Sequence, residues 1–228
     1  MNVQDDVRHR LQSALQSRTS GEAAKWLDQA VNRAAAGPTE GLLAIYTEAS
    51  MRLGKLPLAV TVAGEFPAAG AEGLAFDDWT LEDAARATFL LARADHANAT
   101  DFEADARACY ELGDAREQQS WLRAAGLLPA PERFLLLVID ACRTNILPVF
   151  EAVACGNPYP SRYFPEPNFN QVVMKALFNG VRLERIVGLQ SRVNAELTRM
   201  AVDFAAERRA AGRTVPADIS LAMSGAAA

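Results

Sequence analysis

Helix start and stop signals recur along the chain, and they constrain its fold more than any other feature. Three segments match the capping box, in which a Thr is followed three residues later by an acidic residue: Thr19-Ser-Gly-Glu22, Thr80-Leu-Glu-Asp83 and Thr100-Asp-Phe-Glu103. Glycines stand where helices should end, at Gly37, Gly54, Gly113, Gly156, Gly180 and Gly212. Ala and Leu are abundant, and alternation of β-branched residues is nearly absent. The sequence therefore predicts an all-α fold with little or no β structure.

These signals define ten predicted helices. They span residues 4–18, 21–35, 39–53, 81–95, 101–112, 115–126, 131–143, 146–155, 168–179 and 183–211. The loops between 101 and 156 are short, which favours two consecutive antiparallel pairs, 101–126 and 131–155. We expect an irregular array of helical hairpins, either solenoid-like or a bundle.

We interpret residues 1–228 as one all-helical domain. It has a more irregular N-terminal part (1–79), a helical-hairpin core (80–219) and a flexible tail (220–228). The weakest helix signals lie in residues 56–79, where we expect a short helix near Leu58–Ala63 and a loop after it. The last helix, 183–211, is predicted to be continuous, because apolar residues follow it at spacings of three or four: Ile186, Leu189, Val193, Leu197, Met200 and Phe204.

The overall charge disfavours one class of partner. The formal net charge is −5, and phosphate backbones require concentrated Lys and Arg, so we expect no nucleic-acid partner. No run of 18 apolar residues occurs, so we expect no transmembrane segment. Asp5 and Asp6 stand where a signal peptide would need basic residues, which predicts a cytoplasmic location.

Few residues are suited to catalysis or metal binding. The only histidines, His9 and His96, are isolated, and no acidic cluster accompanies them, so no metal site and no cofactor are expected. Cys109, Cys142 and Cys155 are widely spaced, which predicts free thiols in the core. Familiar nucleotide-binding and hydrolase motifs do not occur. The sequence leaves enzymatic activity uncertain and favours a non-catalytic role.

The segment 157–171 is the strongest candidate for a binding site. Four prolines with aromatic and amide side chains between them predict a stiff loop. The helix predicted after it is apolar on most sides, but Asn168, Gln171, Lys175 and Asn179 fall within an arc of about 80°. This polar stripe faces either solvent or a polar cavity, and the sequence leaves both alternatives open.

Seven residues are therefore candidates for ligand binding: Asn157, Tyr159, Arg162, Tyr163, Asn168, Gln171 and Lys175. Lys175 offers a cation for a phosphate or carboxylate, and Arg162 offers a bidentate clamp. The amides of Asn168 and Gln171 offer donors and acceptors, and the tyrosines offer flat apolar faces.

Two further roles concern the same region. Asn168 also fits the N-cap of the predicted helix 168–179. An enzyme at this surface would need a proton-transfer group, for which Glu151, Glu166 and Tyr163 are the nearby candidates.

Several motifs between residues 100 and 219 resemble the EboA domain family. They are Arg116-Glu-Gln-Gln119, Ala141-Cys-Arg-Thr-Asn145, Asn157-Pro-Tyr-Pro160, Asn168-Phe-Asn-Gln171, Lys175-Ala-Leu-Phe178, Arg192-Val-Asn-Ala-Glu-Leu197 and the ending Glu207-Arg-Arg-Ala-Ala-Gly-Arg-Thr-Val-Pro216. Genes of that family accompany a UbiA-like prenyltransferase and other pathway enzymes. The resemblance implies an accessory role in making or handling an isoprenoid-linked metabolite.

Three functional hypotheses follow. The leading one is an accessory protein that binds a small anionic or isoprenoid-linked metabolite, or a partner enzyme, through the 157–179 surface. The second is an enzyme with its active site at the same pocket. The third is a pure protein–protein scaffold, and a homo-oligomer is compatible with all three.

Overall fold

The computed structural model describes residues 3–59 and 74–223, and these residues form no strand. Their only β feature is an isolated antiparallel bridge between Pro57 and Thr80. The helices are α1 (Val3–Arg18), α2 (Gly21–Ala36), α3 (Thr39–Leu53), α4 (Leu81–Ala94), α5 (Ala99–Glu111), α6 (Ala115–Ala124), α7 (Leu135–Ala141), α8 (Leu147–Ala154), α9 (Tyr159–Tyr163), α10 (Glu166–Asn179), α11 (Leu189–Arg192) and α12 (Ala195–Ala210). Short 3-10 turns occupy Ala125–Leu127, Pro131–Phe134, Leu183–Arg185 and Ile219–Ala222. The prediction of an all-α fold is confirmed.

The chain divides into two compact units, Met1–Phe134 and Leu135–Ala228. The single-domain interpretation, with its internal boundary near residue 80, stays a prediction. Most of the predicted flexible tail, residues 224–228, lies outside the described residues, and Ile219–Ala222 forms a 3-10 turn.

Helix α4 is the centre of the first unit. It packs against α1, α2, α3 and α6, and its residues from Leu81 to Ala92 are buried. A helix surrounded by protein is normally apolar on all sides. α4 instead buries charged side chains, among them Glu82, Asp83 and Arg86, each no more than 5% exposed.

A hydrogen-bonded network makes this burial tolerable. The Arg86 guanidinium donates to the Tyr46 carbonyl (2.8 Å), to Glu82 (3.2 Å) and to the Ser120 hydroxyl (3.1 Å). The Ser120 hydroxyl in turn donates to Asp83 at 2.6 Å. Because buried polar groups cost stability unless they are paired, this network links α3, α4 and α6 specifically.

Two arginines of α6 complete the network from its outer side. Arg116 pairs with Glu82, and Arg123 donates to Asp83 at 2.6 Å. The side chains of Arg116 and Arg123 are 34% and 21% exposed, so each lies between the buried carboxylate and solvent.

Helix α10 is the centre of the second unit. It packs against α8 and α12, while α7 packs on α8 and α8 packs on α9. Its buried face consists of Phe169, Asn170, Val172, Val173, Met174, Ala176 and Leu177. This buried face, apolar except for Asn170, leaves the opposite side of α10 for the polar stripe.

The helix predicted over 183–211 is wrong as a continuous element. A 3-10 turn at Leu183–Arg185 and the short α11 precede α12. Gly188 has φ +74°, a left-handed conformation, and a Cβ at that position would lie 2.7 Å from Ser161. Asn194 then caps α12, since its Oδ1 accepts the Leu197 N–H at 2.8 Å. The apolar spacing continues through these breaks, since Ile186, Leu189, Leu197 and Phe204 are all buried although they belong to separate segments.

The stiff loop predicted over 157–171 is largely helical. α9 occupies Tyr159–Tyr163, and α10 begins at Glu166 rather than at 168. The predicted N-cap role of Asn168 is therefore wrong, because Pro165 holds that position and Asn168 lies in the first turn. Prolines fit the first turn of a helix, where the missing N–H has no intrahelical partner to lose.

The capping signals gave mixed results. The Thr80–Asp83 box forms as predicted, and Asp114 caps α6 through a second box with Glu117. Ser20 rather than Thr19 stands at the N-cap position of α2, where its side chain makes no capping hydrogen bond, and Asn98 rather than Thr100 caps α5. Nearby polar residues compete for these positions, so the pattern locates a helix start only to within one or two residues.

The short helix predicted near Leu58–Ala63 lies mostly outside the described residues. Leu58, at its start, is not helical, and its N–H donates to the Trp79 carbonyl at 2.8 Å.

Candidate functional site

A small cavity in the second unit brings part of the predicted site together. It has a volume of about 120 Å³ and lies between the C-terminal end of α7 and the first turns of α10. Its lining residues are Ile139, Cys142, Arg143, Phe164, Asn168, Gln171, Val172 and Lys175. Three of the seven candidates, Asn168, Gln171 and Lys175, therefore line one cavity, which we call the Lys175 cavity.

Lys175 is held in place by the end of a neighbouring helix. Its Nζ donates to the carbonyls of Cys142 and Thr144, both at 2.6 Å, and lies 5.2 Å from the Phe150 ring centroid. These carbonyls follow the last residue of α7, so the ammonium offsets the negative end of that helix. Since an ammonium has three N–H donors, one remains for a group inside the cavity.

Arg143 is the second cation of the lining. It pairs with Asp140 at 3.4 Å, and both side chains are 76% exposed. Such an exposed pair is worth about 0–1 kcal/mol, so the guanidinium can turn toward a ligand at little cost. Asn168 is half-buried and Gln171 is exposed, so their amides are also within reach of solvent and of a ligand.

Cys142 contributes a thiol rather than a thiolate. Burial raises the pKa of this thiol to about 12, although the Lys175 charge opposes the shift. The Sγ lies 3.3 Å from the Val138 carbonyl, to which it donates. A protonated, buried thiol is a poor nucleophile, so Cys142 acts as a wall of the cavity.

Two of the other candidates hold the turn between α8 and α9. Asn157 is 2% exposed; its Nδ2 donates to the Ala152 carbonyl (3.0 Å) and its Oδ1 accepts the Tyr159 N–H (3.0 Å). Tyr159 is fully buried, with its ring centroid 4.7 Å from that of Tyr163 and 6.2 Å from that of Phe164. These contacts give Asn157 and Tyr159 structural roles, and neither residue lines the Lys175 cavity.

Arg162 and Tyr163 are half-buried residues of α9, and they do not line the Lys175 cavity either. The predicted guanidinium clamp is therefore not part of it. Arg143 supplies the second cation instead, and sequence reasoning missed it. The sequence feature that could have identified Arg143 is its position within the Ala141–Asn145 motif.

Arg192 is another residue that sequence reasoning did not single out. Its guanidinium donates to the carbonyls of Ser161 and of Phe164, the latter at 2.8 Å, and lies 4.7 Å from the Phe169 ring centroid. These contacts tie the end of α9 to α11, and they fix Phe164, which lines the Lys175 cavity.

Asn170 lies on the buried side of α10, opposite its polar stripe. It is 2% exposed and forms a reciprocal amide pair with Asn194, with N···O distances of 3.2 and 3.0 Å. The pair joins α10 to the cap of α12. Asn170 and Asn194, which belong to two of the motifs that resemble the EboA family, therefore have a structural role.

The carboxylates considered for proton transfer lie elsewhere. Glu151 pairs with Arg185 at 3.3 Å, and Glu166 is exposed at the start of α10. Neither lines the Lys175 cavity. Across residues 3–59 and 74–223, no group of three His, Cys, Asp or Glu side chains could hold a metal ion. Within the same residues, no helix is long and apolar enough to cross a membrane.

These observations define an all-α protein whose second unit contains a small cavity lined by cations, amides and apolar side chains. The sequence profile of the family described as "Metabolite traffic protein EboA" matches residues 7–224. The chain therefore belongs to the EboA family. The match includes the first hundred residues, so it is wider than the resemblance over 100–219. Neither the curated proteins nor the solved structures gave a match.

Proposed function

We propose that this protein is an accessory component of a metabolite pathway that binds an intermediate through the 157–179 surface. The intermediate is a small anionic or isoprenoid-linked molecule, and its anionic head occupies the Lys175 cavity. The observation that supports this most is the Lys175 ammonium, fixed at the cavity by two carbonyls with one donor left over. The family description, a metabolite traffic protein, agrees with such a role.

The size of the cavity limits what it takes. Small-molecule sites usually have volumes of about 300–1,000 Å³. At about 120 Å³, the Lys175 cavity has room for a phosphate or carboxylate head but not for a whole isoprenoid chain. The remainder of the ligand therefore lies outside it.

The charges of the lining favour an anion. Lys175 and Arg143 are cationic, Asn168 and Gln171 offer amide donors, and no lining residue is a carboxylate. The end of α7 and Asp140 offset part of this positive charge. We therefore expect a modest affinity for a bare anion, with the rest of the affinity coming from contacts outside the cavity.

The same lining favours binding over catalysis. General acid–base chemistry needs a titratable group within hydrogen-bond reach of the substrate. The lining has no carboxylate and no histidine, and the pKa of the Cys142 thiol is too high for it to act as a nucleophile near neutral pH. The cytoplasmic location, partner enzyme and oligomeric state stay predictions.

Isothermal titration calorimetry with inorganic diphosphate, a sugar phosphate, a cyclitol and geranyl diphosphate tests the proposal. We expect the phosphate-bearing probes to bind, and Asn168→Ala and Gln171→Ala to weaken them several-fold. The matched controls are Asn179→Ala, on the same helix but outside the cavity, and Gln190→Ala, an exposed glutamine of α11.

Lys175→Met is informative only together with a stability measurement, because Lys175 also caps α7. A folded Lys175→Met variant that binds inorganic diphosphate as well as the parent protein would refute the proposal. So would the absence of binding by every phosphate-bearing probe. Capture of a pathway enzyme in that case would instead support the scaffold alternative.

A further inference from the structure

The lining of the Lys175 cavity changes character along α7. Cys142 and Arg143, which follow the last residue of α7, stand with Lys175 at the cationic end. Ile139 lines the cavity one turn earlier, and Phe164 and Val172 complete the apolar walls. Since residues three or four apart share a helix face, Ile139 and the residue one turn before it form an apolar strip on α7, beside the exposed Asp140–Arg143 pair.

Leu136 extends that strip outside the cavity. It lies one turn before Ile139 on the same face of α7, and its side chain is 79% exposed. A single exposed leucine is ordinary on a protein surface. Leu136 is notable because it lines up with a cavity that is too small for more than a head group.

We infer that the ligand of the Lys175 cavity is an amphiphile whose apolar portion lies along Ile139 and Leu136. This inference rests on the proposed function. Residues 136 and 143 are about 10 Å apart along the helix axis at about 1.5 Å per residue, which corresponds to a chain of roughly eight carbons. We propose a free molecule, because one exposed leucine beside a cavity of about 120 Å³ offers far less apolar surface than a membrane-binding face needs.

A series of alkyl phosphates tests the inference by calorimetry: methyl, butyl, octyl and dodecyl phosphate, each below its micelle concentration. Full burial of a CH₂ group is worth about fourfold in affinity. An open ridge covers only part of each group, so we expect about twofold per carbon up to octyl and little gain beyond it. Equal affinities for methyl and octyl phosphate would overturn the inference.

Leu136→Asn gives the matching variant test. It should remove most of the gain from chain length and leave the affinity for methyl phosphate unchanged. Leu112→Asn, at a leucine that is 73% exposed in the first unit, should change neither affinity. Loss of the gain in Phe178→Asn but not in Leu136→Asn would place the chain along α10 and refute the inference.

Two outcomes separate this inference from the proposed function. If methyl phosphate binds and a longer chain adds no affinity, the inference of an amphiphilic ligand is wrong, while the proposed anion site is supported. If no phosphate probe binds, both are wrong. Binding to vesicles of phosphatidic acid in phosphatidylcholine, without binding to octyl phosphate, would also refute a free ligand.

Discussion

Replacing Arg86 by Met should strongly destabilise the first unit. Arg86 is 1% exposed and donates to the Tyr46 carbonyl, the Glu82 carboxylate and the Ser120 hydroxyl. Methionine fills similar space but leaves these acceptors without their cationic donor. Removing one partner of a buried ion pair costs about 3–5 kcal/mol.

The structure places the expected loss at the lower end of that range. Glu82 keeps a second partner, Arg116, so it does not become an isolated buried charge. Ser120 keeps its bond to Asp83. The Tyr46 carbonyl lies in the middle of α3, where the helical pattern gives it the Ser50 N–H as a donor, so it loses one of two donors without becoming unpaired. We therefore expect a loss of about 3 kcal/mol in the free energy of unfolding.

Urea denaturation followed by circular dichroism at pH 7 measures this loss. Arg199→Met is the control, because Arg199 makes two ion pairs on the exposed face of α12 and its loss should leave the free energy of unfolding nearly unchanged. The double variant Arg86→Met with Glu82→Gln should lose less than the sum of the single variants, because the two side chains are coupled. An Arg86→Met protein within about 1 kcal/mol of the parent would refute the reasoning.

Three further outcomes are expected. Gly188→Ala should lower the free energy of unfolding by about 1–3 kcal/mol in urea denaturation, because the φ of Gly188 is +74° and a Cβ would meet Ser161. Gly212→Ala should cost less, because Gly212 has φ +64° but no atom near the position of a Cβ. Equal costs would contradict the steric explanation. Asn170→Ala should cost about 1–3 kcal/mol through the loss of two buried hydrogen bonds to Asn194, which keeps its bonds to the Leu197 N–H and the Arg192 carbonyl, and a neutral result would show that solvent reaches the pair. Burial raises the pKa of the Cys142 thiol from its ordinary value of 9.0 to about 12. The protonated thiol therefore contributes fully to the free energy of unfolding below pH 9, and this contribution is lost as the pH rises toward 12. The parent should therefore lose up to about 2 kcal/mol more stability than Cys142→Ala between pH 8 and 10.5, and parallel losses would contradict this.

Sequence reasoning located most helices because their signals are local. Caps such as Thr80 and Asp114, and the positive-φ glycines Gly54 and Gly180 after α3 and α10, act within one turn. The break at Gly188 was missed for a physical reason. Apolar spacing reports which side of the chain is buried, and two short elements followed by a helix can bury one side as a single helix does. What requires the glycine is Ser161, a contact between distant parts of the chain.

The candidate site was predicted in part for the same reason. Periodicity placed Asn168, Gln171 and Lys175 on one face of a helix, and these three line the cavity. The other side of the cavity comes from α7 and includes Arg143, whose position depends on tertiary packing that no local pattern encodes. The proline-rich segment also misled the prediction, since prolines in the first turn of a helix are compatible with α9 and α10.

The most direct test of the central claim is a titration of the ¹⁵N-labelled protein with inorganic phosphate, followed by two-dimensional NMR. The account predicts that the largest shift changes occur at the side-chain amides of Asn168 and Gln171 and at the backbone amides around Cys142 and Lys175. It also predicts that these changes are lost in a folded Lys175→Met variant. Changes confined to other surfaces, or none at millimolar phosphate, would contradict the claim that an anion binds beside Lys175.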